Sequence, residues 1–170
     1  GELFPPLGTT DYAPYLTQIR EANPASIYAF FAGSDARNFI LAYEQYGLKG
    51  QIPLAAAGFM FDETTLAAVG EAAVGHYHSM HWAYTLDNPV NRQFVPAYEE
   101  RFGVKPDLYA VQAYDAAQLI AHILNELDGD ISDDEAVRQV ILNAQLDSPR
   151  GKLRFDPERH AVRQTFYILR

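Results

Sequence analysis

The sequence predicts an open α/β fold, a parallel sheet covered by helices. Three observations predict it. Short apolar runs at residues 27–31, 53–57 and 73–80 have the length of strands rather than helices. The stretches between them place apolar residues at helical spacing. The loops joining them are only a few residues long, and strand–helix–strand units with short loops close into parallel sheets.

Taken in order, residues 1–10 are rich in Pro and Gly and read as a strand end and loop. Thr10 or Asp11 can cap a helix with Pro14 in its first turns. Tyr12, Tyr15, Leu16 and Ile19 give that helix a buried stripe, and it stops near Asn23-Pro24. The run Ile27-Tyr28-Ala29-Phe30-Phe31 is continuously apolar, as in a strand buried on both faces. Ala32-Gly33-Ser34-Asp35 turns the chain, with Ser34 or Asp35 capping a helix over 36–46. Phe39, Ile40 and Tyr43 face inward on it, and Gly47 ends it. The strand at 53–57 runs into the loop Gly58-Phe59-Met60-Phe61. Asp62 caps a short helix to about Val69, Gly70 closes it, and 73–80 is a third strand.

After Trp82 the pattern becomes helical. Asn88-Pro89 opens a helix with Phe94, Val95 and Tyr98 inward, ending at Phe102-Gly103. Pro106 precedes a long helix over 108–127, broken by Asp128-Gly129-Asp130. Ser132 caps a helix over 133–144, where Asp134 and Glu135 suit the helix dipole. Ser148-Pro149-Arg150-Gly151 is a turn, and 153–155 and 165–169 read as two strands.

Composition narrows the function. At 170 residues the chain suits one domain, or one lobe and part of a second. Its formal charge of −9 argues against phosphate-rich partners, which require a basic face, and against anionic membrane surfaces. With no cysteine, disulfide scaffolds, thiol nucleophiles and thiolate zinc sites are excluded. No apolar run approaches the length of a membrane span, and the N-terminus carries no signal-peptide pattern. No phosphate-loop glycine pattern and no G-x-S-x-G elbow are present. The 10 Phe and 11 Tyr fit a filled core and a ring-lined cleft equally well.

Four stretches together resemble one family. They are Thr10-Asp11-Tyr12 with Pro14; Ile27 through Ala36 leading to Tyr46-Gly47-Leu48; Asn88-Pro89-Val90-Asn91 followed by Phe94, Tyr98, Phe102-Gly103, Pro106 and Tyr114-Asp115-Ala116; and Ser148-Pro149-Arg150-Gly151 with Phe155-Asp156. Their order and spacing are similar to the branched-chain amino acid (Leu/Ile/Val) binding family of ABC importers, with the type I periplasmic binding protein fold. Arg150-Gly151 and Asn88-Pro89 resemble its aromatic-acid-binding subgroup. The resemblance implies two α/β lobes closing on a ligand, a periplasmic location, an ABC transporter membrane permease as partner, and no chemical step: not an enzyme, and no cofactor. Family members are about twice this length, so the chain reads as a C-terminal part of the two-lobed architecture. Residues 1–83 then belong to the second lobe, 84–145 cross to the first, and 146–170 return as strands.

Ligands of open parallel sheets sit at the carboxyl ends of the strands. Two such ends are visible, Phe31-Ala32-Gly33-Ser34 and Ala57-Gly58-Phe59, and the resemblance places the lobe's ligand contacts there. Gly33 and Gly58 can admit close backbone approach. Amides opening the helix at Ala36 can meet a carboxylate. Phe31 and Phe59 can wall an apolar ligand body, or serve as plain core. In amino-acid binders an acid beside the second loop holds the ammonium group; here the nearest is Asp62. That departure favours a small aromatic carboxylate of the benzoate or hydroxycinnamate kind over a branched-chain amino acid. A sensor domain of the same fold is a further alternative. The rival signal is His76-Tyr77-His78-Ser79-Met80-His81, where His76, His78 and Met80 share one strand face. Two histidines at that spacing can bind zinc or copper. Equally, they can be hydrogen-bonded strand residues, and no metal is assigned to them.

Overall fold

Proline and capping residues set the helix boundaries. In the computed structural model, which describes residues 1–170, the elements in chain order are α1 (Ala13–Ala22), β1 (Ile27–Ala29), α2 (Gly33–Gln45), β2 (Leu54–Ala57), α3 (Glu63–Val69), β3 (Tyr77–Met80), α4 (Pro89–Phe102), α5 (Leu108–Glu126), α6 (Asp134–Asn143), β4 (Gln145–Ser148), β5 (Gly151–Asp156), β6 (Ala161–Arg163) and β7 (Tyr167–Leu169). Two 3-10 turns, Gly58–Phe61 and Gly70–Ala73, flank α3. The side chains of Asp62, Asn88, Asp107 and Asp133 each accept from a first-turn amide of α3, α4, α5 and α6. Such a cap is worth about 1 kcal/mol. None of the helices is long and apolar enough to cross a membrane.

The chain forms two units, Gly1–Met80 with Tyr167–Arg170, and His81–Phe166. In the first, the sheet order is β1-β2-β3-β7. The first three strands are parallel and β7 runs antiparallel to β3, with Met80 opposite Tyr167. Tyr12 and Leu16 of α1, and Phe39, Ile40 and Tyr43 of α2, bury against Ala29, Leu54 and Ala56. Burying each of the large side chains contributes about 1.5–3 kcal/mol.

In the second unit, α4 and α5 enclose Trp82, Phe94 and Val111. Trp82 donates from Nε1 to Asn91 Oδ1 at 2.8 Å, and Asn91 Nδ2 donates to the backbone carbonyls of Tyr84 and Leu86. The motif Asn88-Pro89-Val90-Asn91 thus has two jobs. Asn88 caps the helix, and buried Asn91 ties the chain after Trp82 to it. A second sheet, β4-β5-β6, is a self-contained antiparallel meander.

Several expectations need correction. Strand β1 is not buried on both faces. All three helices of this unit pack on one side, so the alternate residues face solvent, Tyr28 at 70% exposure and Ile168 at 73%. The third strand begins at Tyr77 rather than residue 73, because Gly70 (φ 53°) and Gly75 (φ 91°) turn the chain first. Helix α2 starts at Gly33, so neither Ser34 nor Asp35 is its cap; its N-cap is Ala32. Asp133 rather than Ser132 caps α6. Two further strands, β4 and β6, were not expected. Each carries a charged residue, Asp147 in β4 and Arg163 in β6, and pairing with β5 rather than an apolar run makes them strands. The meander lies in the same unit as α4 to α6, while Tyr167–Arg170 lies in the first unit, where β7 pairs with β3.

Candidate functional site

Strands β1 and β2 are neighbours in parallel register, with Ala29 opposite Ala56. Their carboxyl ends therefore lie side by side, and the chain leaves them through Phe30–Gly33 and through the turn Gly58–Phe61. Ala32, Gly33 and Ser34 are exposed. Gly33 opens α2 with φ 57°, a left-handed conformation that costs an L side chain about 1–2 kcal/mol. Unlike α3 to α6, α2 has no side-chain cap. Its first amides are thus left for water or a ligand.

The seven residues expected at this edge divide by environment. Phe31 turns inward. It is half-buried, edge-on to Tyr12 at 5.7 Å and against Phe39 at 4.8 Å. Ala57 is half-buried at the end of β2. Phe59 points outward at 37% exposure, on the crest of the turn. Gly58 is buried, and the space a Cβ would need is filled. That atom would lie 2.5 Å from the Ser79 carbonyl oxygen and 2.7 Å from Met80 Cε. Close approach at Gly58 is therefore to β3.

Each of the two acids near this edge accepts from a backbone amide through one oxygen, and Asp35 Oδ1 is buried without a partner. Asp62, itself buried, accepts from the Thr65 amide at 2.7 Å to cap α3. Asp35 accepts from the Gly8 amide at 3.1 Å, and Tyr12 donates to its backbone carbonyl. Asp35 thereby pins the loop before α1 to the first turn of α2. This contact spans 27 residues, which no local sequence signal could reveal.

The histidines do not converge. His76 and His78 each pack against the Phe61 ring, at 5.9 and 5.0 Å between centroids. His81 belongs to the second unit, where its ring meets Phe166 and its Nε2 is 3.3 Å from Gln112 Nε2. Burial, and then the nearby Arg150 charge, push its pKa down to about 4. Above pH 6.5, its ordinary value, folded and unfolded chains both carry it neutral. Below that, the unfolded chain takes a proton that the folded one refuses. Stability should therefore fall as pH drops from 6.5 towards 4, by up to about 1.4 kcal/mol per pH unit. Denaturant midpoints across this window should show a flatter slope in His81→Gln; an unchanged slope would place the acid sensitivity elsewhere.

One polar network in the second unit joins two motifs that the sequence shows separately. Arg150 of the turn between β4 and β5 donates from Nε to Asp115 Oδ2 of α5 at 2.6 Å, and from Nη1 to Gln164. Both charged side chains are nearly fully buried, Arg150 at 9% and Asp115 at 5% exposure.

The edge thus presents two loops and an uncapped helix start, an arrangement that can receive a small anionic ligand. The chain belongs to the periplasmic binding protein family, whose model matches residues 1–170. It is 32% identical over 167 residues to Leu/Ile/Val-binding protein homolog 6 of Brucella melitensis, covering 96% of this chain and 43% of that protein. A solute-binding protein of an ABC transporter from R. palustris, solved in complex with benzoate, superposes with a TM-score of 0.86 at 32% identity, over 95% of this chain and 44% of that one. Another, from Rhodopseudomonas palustris HaA2 and solved with p-hydroxybenzoic acid, gives 0.87 at 32% identity, over 96% and 45%. The chain thus spans less than half the length of these relatives. It has the type I fold of these solute-binding proteins. These three relatives are binding proteins, and the family implies a periplasmic location.

Proposed function

We propose that the chain supplies one wall of the ligand site in an ABC-importer solute-binding protein, and that the ligand is a small aromatic carboxylate of the benzoate or hydroxybenzoate kind. The observation that carries this reading is the uncapped start of α2 beside the outward-facing ring of Phe59. Free first-turn amides and the positive end of a helix dipole favour a carboxylate. The Phe59 ring offers an apolar face to a flat ligand body. Asp62 is buried and caps α3 through Oδ1, a poor position from which to hold an ammonium group, which counts against an α-amino acid. The benzoate and p-hydroxybenzoate complexes of the two R. palustris relatives support the same choice. Closure of the lobes would desolvate the ligand and present the closed form to the membrane permease.

A thermal-shift series on the full-length gene product tests this. A ligand that binds only the folded state stabilises by about 2.7 kcal/mol at a hundred times its dissociation constant. Benzoate and 4-hydroxybenzoate should raise the melting temperature while amino acids do not. A shift with leucine, isoleucine or valine alone would keep the family and replace the ligand.

A further inference from the structure

The turn that carries Phe59 is held from below by rings that ligand contact does not explain. Its last residue, Phe61, is buried. The Phe61 ring stacks on His78 with an interplanar angle of 28° and leans on His76 at 39°. His76 is buried too, edge-on to Tyr43 of α2 at 5.8 Å. One of its ring nitrogens is hydrogen bonded to the Ala72 backbone, while its buried Nε2 has no partner. At its other end the turn is clamped by Gly58 against Ser79 and Met80. Both clamps rest on β3, and Phe59 sits between them.

A neutral His76 can leave Nε2 as a bare lone pair among apolar neighbours. An imidazolium there would carry an N–H without an acceptor, and a charge in a poorly solvated site. The charged groups that act on it are Lys49, whose repulsion adds to the effect of burial, and Glu44, which opposes it more weakly. These two are engaged with each other at 2.9 Å. Tyr43, the titratable group facing it from α2, donates to the Ile52 carbonyl. His78 faces Phe61 and has Ala56 and Leu169 as cross-strand neighbours. Burial lowers the pKa of both imidazoles.

We propose that Phe61, His76 and His78 are positioning residues for the Gly58–Phe61 turn, so that ligand capture by this turn weakens when His76 takes up a proton. Charging His76 favours opening of its apolar enclosure, and the Phe61 ring is the movable wall. Phe59 lies two residues away on a turn whose other end cannot slide. The inference rests on the reading of this turn as a ligand wall.

The test uses the full-length gene product and sodium benzoate, titrated calorimetrically from about pH 8 to about pH 5, where the benzoate stays ionised. Because burial holds the His76 pKa below its ordinary 6.5, the affinity should fall several-fold towards the acid end of this range, by at most about tenfold per pH unit for one proton. His76→Phe keeps a ring but cannot titrate, and should flatten this profile; an unchanged profile overturns the proposal. If that variant does not fold, Phe61→Leu should weaken benzoate and shrink the pH step by at least half. In the ligand-free protein, amide resonances of Gly58–Phe61 should follow the His76 titration. Amides that stay still overturn the proposal whether or not benzoate binds. Amides that move in a protein that binds no benzoate leave the positioning intact and sink the ligand reading instead.

Discussion

Replacing Arg150 with methionine is expected to destabilise the second unit by about 3–5 kcal/mol, the cost of leaving a buried charge without its partner. Asp115 Oδ2 would lose the guanidinium at 2.6 Å, and Asp115 Oδ1 already lacks a hydrogen bond. Gln164 would lose its donor as well. Removing both charges at once, as Arg150→Met with Asp115→Leu, should recover most of the loss, because an apolar pair of similar volume often matches a buried ion pair. Urea melts of the two single variants and the double variant measure the coupling. If the losses simply add, the pair is not a unit and the effect is ordinary packing. The pairing joins a turn to a helix 35 residues earlier, so its loss should loosen the contact of β4 and β5 with α5.

Gly58→Ala is expected to cost about 1–3 kcal/mol, the usual range for overpacking. Two of the three atoms in the way belong to the Met80 side chain, which can adjust. The third is the Ser79 carbonyl oxygen, part of a strand hydrogen bonded on both sides. The turn must therefore lift, and Phe59 moves with it. On the proposed function, benzoate affinity should fall by about tenfold or more, since each 1.4 kcal/mol is a factor of ten. Melting curves and calorimetry separate the two effects. A variant as stable as the parent, with unchanged affinity, would show that β3 yields and that the turn is not held from beneath. Gly58→Val should be worse on both measures.

Much of the fold was legible because its signals are local. Asp62, Asn88-Pro89, Gly70 and Gly103 mark helix ends through contacts within four residues, and these boundaries lie where the sequence puts them. Helical spacing likewise identified Tyr12, Leu16, Phe39, Ile40 and Tyr43 as core. The errors came where a residue's partner is distant. Ser34 and Asp35 are plausible caps by type, but Asp35 is drawn to Gly8. β6 has no apolar pattern of its own and exists only through pairing with β5. At the candidate site, the strand-end argument found the two loops. It did not separate Phe31, which turns into the core, from Phe59, which turns out, since both are phenylalanines two residues past a strand.

What the sequence by itself determined is the order and type of the main elements, the parallel sheet, the family, and the edge at which the loops gather. Periodicity, capping and turn chemistry act over one or two helical turns and can be read directly. What only the tertiary structure decided is which groups meet: Gly58 with the Ser79 carbonyl, Phe61 with two histidines, Arg150 with Asp115. Those contacts depend on strand register and helix packing, where a shift of one residue reverses the face of every side chain. They are long-range properties of the folded chain.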